Sequence, residues 1–230
     1  MQLKLDVLDI VTGVRPAARI ILEKNSEVHH CIPILLELDL SIRVGGTCLM
    51  KKSPTNFVDH YVNINDNETP EFVILYISKE KNLSHEASEA DAFVRDADLG
   101  KILGYPDCCI EFVIKRGSVP SIEESFSLYS SNSSYNPLSW PVAHLFDAGL
   151  VPHFPCSMQC KRTHSLTQAR LVVLRDEIQD CRHIDKIIHF NSILYPKKIQ
   201  QINDGSYKKS LSHKLLAPIV NLKELVDDIQ

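Results

Sequence analysis

Two proline-containing turns that each carry a pair of cysteines restrict most strongly how this chain can fold. The first is Leu103–Cys109 (LGYPDCC) and the second is His153–Cys160 (HFPCSMQC). In both, a proline stiffens the backbone before the cysteines, and a segment with helix-forming character follows. The start of a helix lowers the pKa of a thiol and so favours the thiolate that binds metal. The sequence therefore predicts that four cysteines converge on one metal centre: Cys108, Cys109, Cys156 and Cys160.

The spacing of these cysteines bears on which metal they hold. Structural zinc sites commonly use pairs separated by a few residues, whose loop wraps one tetrahedral ion. Adjacent cysteines suit that geometry less well, because neighbouring side chains point in different directions. An iron–sulfur cluster offers several iron atoms to its thiolates, so adjacent thiols can reach it more readily. We predict an iron–sulfur cluster, 4Fe–4S in the first place, with zinc as the alternative; whether three or four thiols ligate it stays open.

Three residues beside the cysteines are candidates for a chemical role. His153 lies in a loop that two prolines keep irregular, where it can serve as a ligand, a proton donor or an ordinary surface histidine. Tyr105 and Asp107 precede the first thiol pair, and Asp107 also suits the cap of the following helix. If the chain is an enzyme, the predicted catalytic residues are His153, Asp107 and Tyr105.

Composition limits the classes of function. The chain has 230 residues, of which 44% are hydrophobic and 23% charged, with a formal net charge of -4. This composition is typical of a globular protein, and an acidic chain is not expected to bind nucleic acid by charge alone. The segment 161–215 is an exception, with eleven Lys or Arg against five Asp or Glu. It is a candidate nucleic-acid surface, although not the favoured interpretation, because it has few aromatic residues to stack on bases.

The location and redox environment follow from the same residues. No apolar run is long enough for a membrane helix, and charged residues interrupt the first twenty positions, so we predict neither a membrane partner nor a signal peptide. We predict a cytoplasmic protein. In that reducing compartment, clustered cysteines are more often metal ligands or reactive thiols than structural disulfides.

Hydrophobic patterning predicts an α+β fold. Phe72–Ser78 (FVILYIS) is a continuous apolar run that predicts a central buried strand. The run Ile32–Val44 alternates apolar and polar residues from Leu36 to Val44, and Gly45–Gly46 then predicts a turn into a second strand, Thr47–Met50. Val14–Lys24 predicts a short helix. The expected result is a β-rich part over residues 1–82 with a mixed or antiparallel sheet.

The rest of the chain, residues 83–230, predicts a mainly helical part that carries the cysteines. Ser84 is expected to cap one helix, Leu99–Leu103 to form a short helical turn, and Pro106 to begin a helix that ends near Lys115. Thr163 or Ser165 is expected to cap the longest helix, which runs from about Ser165 to Ile178 or beyond. Further predicted elements are a helix over 137–148, a strand over 186–195 and a terminal helix over 222–229. Both parts are expected to form one compact unit.

The motifs also resemble a known group of sequences. The run FVILYISKE, the segment LGYPDCCIEF and the segment HFPCSMQC before a helix resemble a group of small uncharacterised prokaryotic proteins that share LGYP-x-CC and PCS-x-x-C motifs. The resemblance covers about residues 70–175. It implies that the four cysteines belong to one site, and it implies no catalytic role.

Three functions fit these observations. The favoured one is an iron–sulfur protein, expected to be an enzyme that acts on a small molecule by sulfur transfer or by redox or lyase chemistry. The second is a zinc-stabilised module that binds nucleic acid or protein. The third is a thiol–disulfide redox protein.

Overall fold

The computed structural model describes residues 2–23, 27–51, 60–63, 72–118 and 150–177. The elements, in chain order, are α1 (Gln2–Val11), β1 (Ala17–Glu23), α2 (Glu27–Glu37), β2 (Ser41–Lys51), β3 (His60–Asn63), β4 (Phe72–Ser78), α3 (Lys81–Ala92), α4 (Asp96–Ile102), α5 (Asp107–Arg116) and α6 (Lys161–Glu177). This arrangement confirms the predicted α+β class. The predicted elements over 137–148, 186–195 and 222–229 lie outside the described residues.

The chain divides into two compact units between Tyr105 and Pro106. We call Asp6–Tyr105 the sheet unit, and the described residues from Pro106 onward the cysteine unit. Helices α3 and α4, which lie beyond the division predicted near residue 82, belong to the sheet unit. Within the described ranges, the structure has no helix that combines the length and the apolar character needed to cross a membrane.

The sheet has four strands in the order β1-β4-β2-β3, and all the paired strands are antiparallel. Strand β4 is central, as predicted, because it pairs with β1 on one side and β2 on the other. Every residue from Val73 to Ser78 is buried, which explains why this strand is apolar throughout rather than alternating. Ile74 and Tyr76 pack with Ala87 of α3, and Leu99 and Ile102 of α4 complete that side of the core.

The predicted hairpin at Gly45–Gly46 is wrong. The first part of the predicted strand, up to Glu37, belongs to helix α2, whereas strand β2 begins at Ser41 and runs through both glycines. Its pairing with β4 shifts register between Val44 and Thr47, which is a β-bulge. A Cβ on Gly45 would overlap the ring of Tyr76. The glycine pair therefore marks a bulge and a close approach to a neighbouring strand, and not a chain reversal.

Two other local predictions, a helix over 14–24 and a helix cap at Ser84, also differ from the structure. The expected helix over 14–24 is strand β1, in which Ala18, Ile20 and Leu22 are buried while Arg19 and Ile21 are only partly covered. That period of two is the pattern of a strand. Helix α3 begins at Lys81, three residues before the predicted cap. The Ser84 hydroxyl is instead buried, and it bonds to the Ser41 hydroxyl at 2.8 Å and to the Lys81 carbonyl at 3.1 Å.

Arg15 is buried, and it contacts the end of the sheet unit, where the first cysteine motif begins. The Arg15 guanidinium lies 2.9 Å from the Asp6 carboxylate and 3.5 Å from that of Asp9. It also donates to the Leu103 carbonyl at 3.0 Å and sits over the Tyr105 ring, 5.5 Å from the centroid. Burial alone would lower the pKa of Arg15, but Tyr105 and the two carboxylates raise it, so the guanidinium stays charged. One buried ion cluster therefore supports the Leu103–Tyr105 turn.

Candidate metal centre

Helix α5 presents the first pair of cysteines in its opening turn. Pro106 is its N-cap residue, with an extended backbone (φ -61°, ψ 133°), and its carbonyl accepts bonds from the amides of Cys109 (2.8 Å) and Ile110 (3.0 Å). The predicted start of this helix is thereby confirmed. Asp107 is the first helical residue rather than the cap, so its carboxylate faces the positive end of the helix dipole.

The second pair comes from the loop that ends where α6 begins. The Cys160 amide donates to the Ser157 carbonyl at 3.1 Å, a tight turn that follows Cys156 directly. The Cys160 carbonyl in turn accepts the His164 amide at 2.9 Å, which opens helix α6. Met158, inside this turn, is 1% exposed. The loop is therefore a packed structure that holds Cys160 directly before the helix, as predicted, and Cys156 earlier in the loop.

The two pairs meet. The Sγ atoms of Cys108 and Cys160 lie 3.6 Å apart, those of Cys109 and Cys160 3.6 Å apart, and those of the adjacent Cys108 and Cys109 3.9 Å apart. All four sulfurs, including that of Cys156, lie within 4.8 Å of one another. Cys109 and Cys160 are buried, and the other two are half-buried. The predicted convergence is confirmed, and the group can hold a metal ion.

Hydrogen-bond donors surround the buried sulfurs. The Cys109 sulfur accepts the Cys156 amide at 3.4 Å and lies 3.4 Å from the hydroxyl oxygen of Thr163. The same hydroxyl is 2.9 Å from His153 Nε2. Thr163 is fully buried in the first turn of α6. The sequence predicts Thr163 only as a possible helix cap, whereas its position three residues after Cys160, on the turn that faces the sulfurs, is the signal that identifies it as part of the site.

Burial and these donors change the pKa values of Cys109, Cys156 and Cys160 unequally. Burial raises the pKa of the Cys109 thiol and outweighs the bonds that it receives from Thr163 and the Cys156 amide. Burial, and then the thiols of Cys160 and Cys108, raise the pKa of Cys156 to about 11. Burial also opposes ionisation of Cys160, but bonds from the Thr163 hydroxyl and amide and from neighbouring thiols lower its pKa to about 7. Cys160 therefore ionises first, and a metal that binds here has to displace protons from other thiols.

The three predicted catalytic residues occupy different settings. His153 is buried and joins the cysteines through Thr163. Asp107 is exposed and lies 3.3 Å from the Arg162 guanidinium, which is equally exposed. Tyr105 belongs to the sheet unit, under Arg15. The structure links His153 to the sulfurs through the Thr163 hydroxyl, and a catalytic role for any of the three residues stays a prediction.

Comparison with known proteins gives one match. Residues 81–189 match the model of a family described as "Protein of unknown function (DUF483)". The matched span contains both cysteine pairs, and it accords with the resemblance to an uncharacterised group that the motifs predicted. The chain matches no curated protein and no solved structure.

Proposed function

We propose that this chain is a metal-binding protein in which the four thiolates of Cys108, Cys109, Cys156 and Cys160 hold a single tetrahedral ion, zinc in the first place. The ion joins the start of α5 to the loop before α6, and its binding energy stabilises the fold of the cysteine unit. The separation of the sulfur atoms carries this proposal.

The sulfur separations suit one ion. Zinc–thiolate bonds of about 2.3 Å in tetrahedral directions put neighbouring sulfurs about 3.8 Å apart. The three separations among Cys108, Cys109 and Cys160 are 3.6, 3.6 and 3.9 Å. In a 4Fe–4S cluster each thiolate binds a different iron atom, so its sulfur ligands stand markedly farther apart. These distances favour zinc over the cluster that the cysteine spacing predicted.

The donor set suits a structural role for the ion. A zinc ion with four protein thiolates is closed, whereas catalytic zinc keeps a position for water or substrate. Here two ligands come from α5 and two from a segment more than forty residues later. An ion bound to all four would cross-link these segments, and in such sites the metal-binding energy is part of the folding energy.

Metal analysis of the full chain tests the proposal. The protein is purified without oxygen from cells supplied with both iron and zinc, and zinc, iron and acid-labile sulfide are measured per chain. We expect one zinc, no sulfide and a colourless protein. A brown protein with iron and sulfide would establish the iron–sulfur alternative, and with it the cluster-dependent enzyme. A folded chain that retains no metal and takes up no added zinc would overturn both.

Two cysteine substitutions provide a matched comparison. Cys109→Ser removes a buried ligand, and it should abolish stoichiometric zinc binding. Cys31→Ser changes a cysteine in α2 that is just as deeply buried but outside the cluster, and it should leave one zinc per chain. Equal zinc content in the two variants would contradict the assignment of Cys109 as a ligand.

A further inference from the structure

A chain of three buried groups leads away from the sulfurs. The hydroxyl oxygen of Thr163 lies 3.4 Å from Cys109 Sγ and 2.9 Å from His153 Nε2. Thr163 is 0% exposed and His153 is 7% exposed, so water contributes little to this chain. The Thr163 hydroxyl and amide also lower the pKa of the Cys160 thiol. One threonine therefore acts on both of the buried thiols of the cluster.

Metal binding gives these hydrogen bonds a direction. A thiolate bound to a metal has no proton and can only accept hydrogen bonds. The Thr163 hydroxyl, which has a single proton, must then donate it to sulfur. Its oxygen is left as an acceptor towards His153, so Nε2 has to carry the proton in that bond. The order is His153 Nε2–H to Thr163 Oγ1, and Thr163 O–H to the thiolate.

We infer that Thr163 is a positioning residue for the metal centre, with His153 orienting its hydroxyl, and that this pair sets the affinity and the electronic character of the bound thiolates. The inference rests on the proposed metal site and adds two residues that do not ligate the ion. Its physical basis is the excess negative charge of four thiolates on one divalent ion. Buried negative charge requires donors, and such supporting bonds commonly change metal affinity by about 10- to 100-fold.

Cobalt(II) and zinc(II) are the probes for the test. Thr163→Val keeps the shape of the side chain and removes the donor. We expect zinc to bind about tenfold more weakly, measured by competition with a coloured chelator. The thiolate-to-cobalt charge-transfer band should move to lower energy, because a thiolate without its donor holds its electrons less tightly. Thr163→Ser restores the hydroxyl and should restore both properties.

Thr167 provides a matched control in the same helix. It is 1% exposed, one turn beyond Thr163, and its hydroxyl donates to the Thr163 carbonyl at 2.9 Å. Thr167→Val removes a buried hydroxyl of the same kind that bonds to a backbone carbonyl instead of to sulfur. Its zinc affinity and cobalt spectrum should match those of the wild type. An equal change in both valine variants would mean that helix packing alone is responsible, and it would overturn the inference.

His153→Ala tests the second bond and remains informative if Thr163→Val fails to fold. The hydroxyl remains but loses its orienting donor, so the cobalt band should move in the same direction by a smaller amount. A wild-type spectrum in His153→Ala or in folded Thr163→Val would overturn the inference while leaving the metal site intact. Failure of the wild-type chain to bind either metal ion would instead overturn the proposed function.

Discussion

The two units of this chain bury polar groups by different means. The sheet unit buries opposite charges together, with the Arg15 guanidinium between the Asp6 and Asp9 carboxylates. The cysteine unit gathers four groups of one kind, Cys108, Cys109, Cys156 and Cys160, which as thiolates would all carry the same sign of charge.

The difference has a physical consequence. A buried ion pair within the chain is complete once the chain folds, whereas four thiols cannot all ionise at close range without a cation. We therefore expect the sheet unit to fold on its own residues alone and the cysteine unit to depend on a metal ion from solution. The predictions below test that contrast, from the largest expected effect to the smallest.

Removal of the metal should give the largest difference in stability between the two units. With a strong chelator and a reductant present, the amides of α5 and α6 should lose most of their protection from hydrogen exchange, while those of β4 keep theirs. Structural zinc supplies on the order of 10 kcal/mol of apparent binding energy in small domains, so the loss should be large. Hydrogen exchange measured by mass spectrometry resolves these segments.

The control for this experiment is the return of zinc, which should restore protection in α5 and α6. Equal loss of protection in β4 would show that the sheet unit also depends on the ion. Unchanged protection in α5 and α6 would show that the metal is not part of the folding energy of the cysteine unit.

The buried charges of the sheet unit should give the next largest effect. Arg15→Met leaves Asp6 and Asp9 buried without their cation, and breaking a buried pair in this way costs about 3–5 kcal/mol. Urea unfolding followed by circular dichroism measures the loss. Arg95→Met is the control, because the Arg95 guanidinium lies 3.6 Å from Asp98 with both side chains about half exposed. Such a surface pair contributes at most about 1 kcal/mol.

The zinc content of Arg15→Met tests whether a loss of stability in the sheet unit leaves the metal site unchanged. Folded Arg15→Met should still bind one zinc per chain, since no thiol is altered. A stability loss no larger than that of Arg95→Met would contradict the view that buried ion pairing supports the sheet unit.

Features with a strong local signal could be predicted from the sequence. Strand β4 is a continuous apolar run, and Pro106 opens α5 because its fixed φ suits a helix start. The convergence of Cys108, Cys109, Cys156 and Cys160 followed from the chemistry of thiols at helix starts, without any knowledge of the packing. These inferences needed only neighbouring residues and the reactivity of one side chain type.

Features decided by distant contacts could not be predicted. Gly45 lies in a bulge and against the ring of Tyr76, and no local pattern reveals that neighbour. The bond network of Thr163 depends on His153 from another segment. The helical first turn of α5 brings the Cys108 and Cys109 sulfurs to 3.9 Å, a closeness that adjacency in the sequence argued against. Burial likewise raised the pKa of Cys156, where the helix start alone predicted a decrease.

Gly104 in the sheet unit and Gly117 in the cysteine unit have similar positive φ angles but different surroundings. Gly104, the second residue of the first cysteine motif, has φ +75°, and a Cβ there would lie 2.7 Å from Cδ of Pro16. Gly117, which ends α5, has φ +79° and no atom that a Cβ would meet within 4 Å. Gly117→Ala should cost only the left-handed backbone, about 1 kcal/mol, whereas Gly104→Ala adds overpacking and should cost about 2–4 kcal/mol.

Urea unfolding of both variants measures this difference. Each substitution adds the same methyl group at nearly the same φ, so the excess in Gly104→Ala reports the contact with Pro16. Equal losses would mean that the sheet unit yields at this turn, and that the turn is not held as firmly as the Arg15 bonds indicate.

The smallest effect should come from the surface charge nearest to the cysteines in sequence. Asp107 and Arg162 lie 3.3 Å apart, and both side chains are about two-thirds exposed. Asp107→Asn removes this pair and one charge from the first turn of α5, which together should cost less than about 1 kcal/mol. Zinc affinity should stay within about twofold of the wild type, because loss of a residue that supports a metal ligand usually changes the affinity by about tenfold or more. A tenfold change would mean that the Asp107 carboxylate acts on the metal centre. The thiolates would then not be the only charged groups of the cysteine unit that determine its zinc affinity.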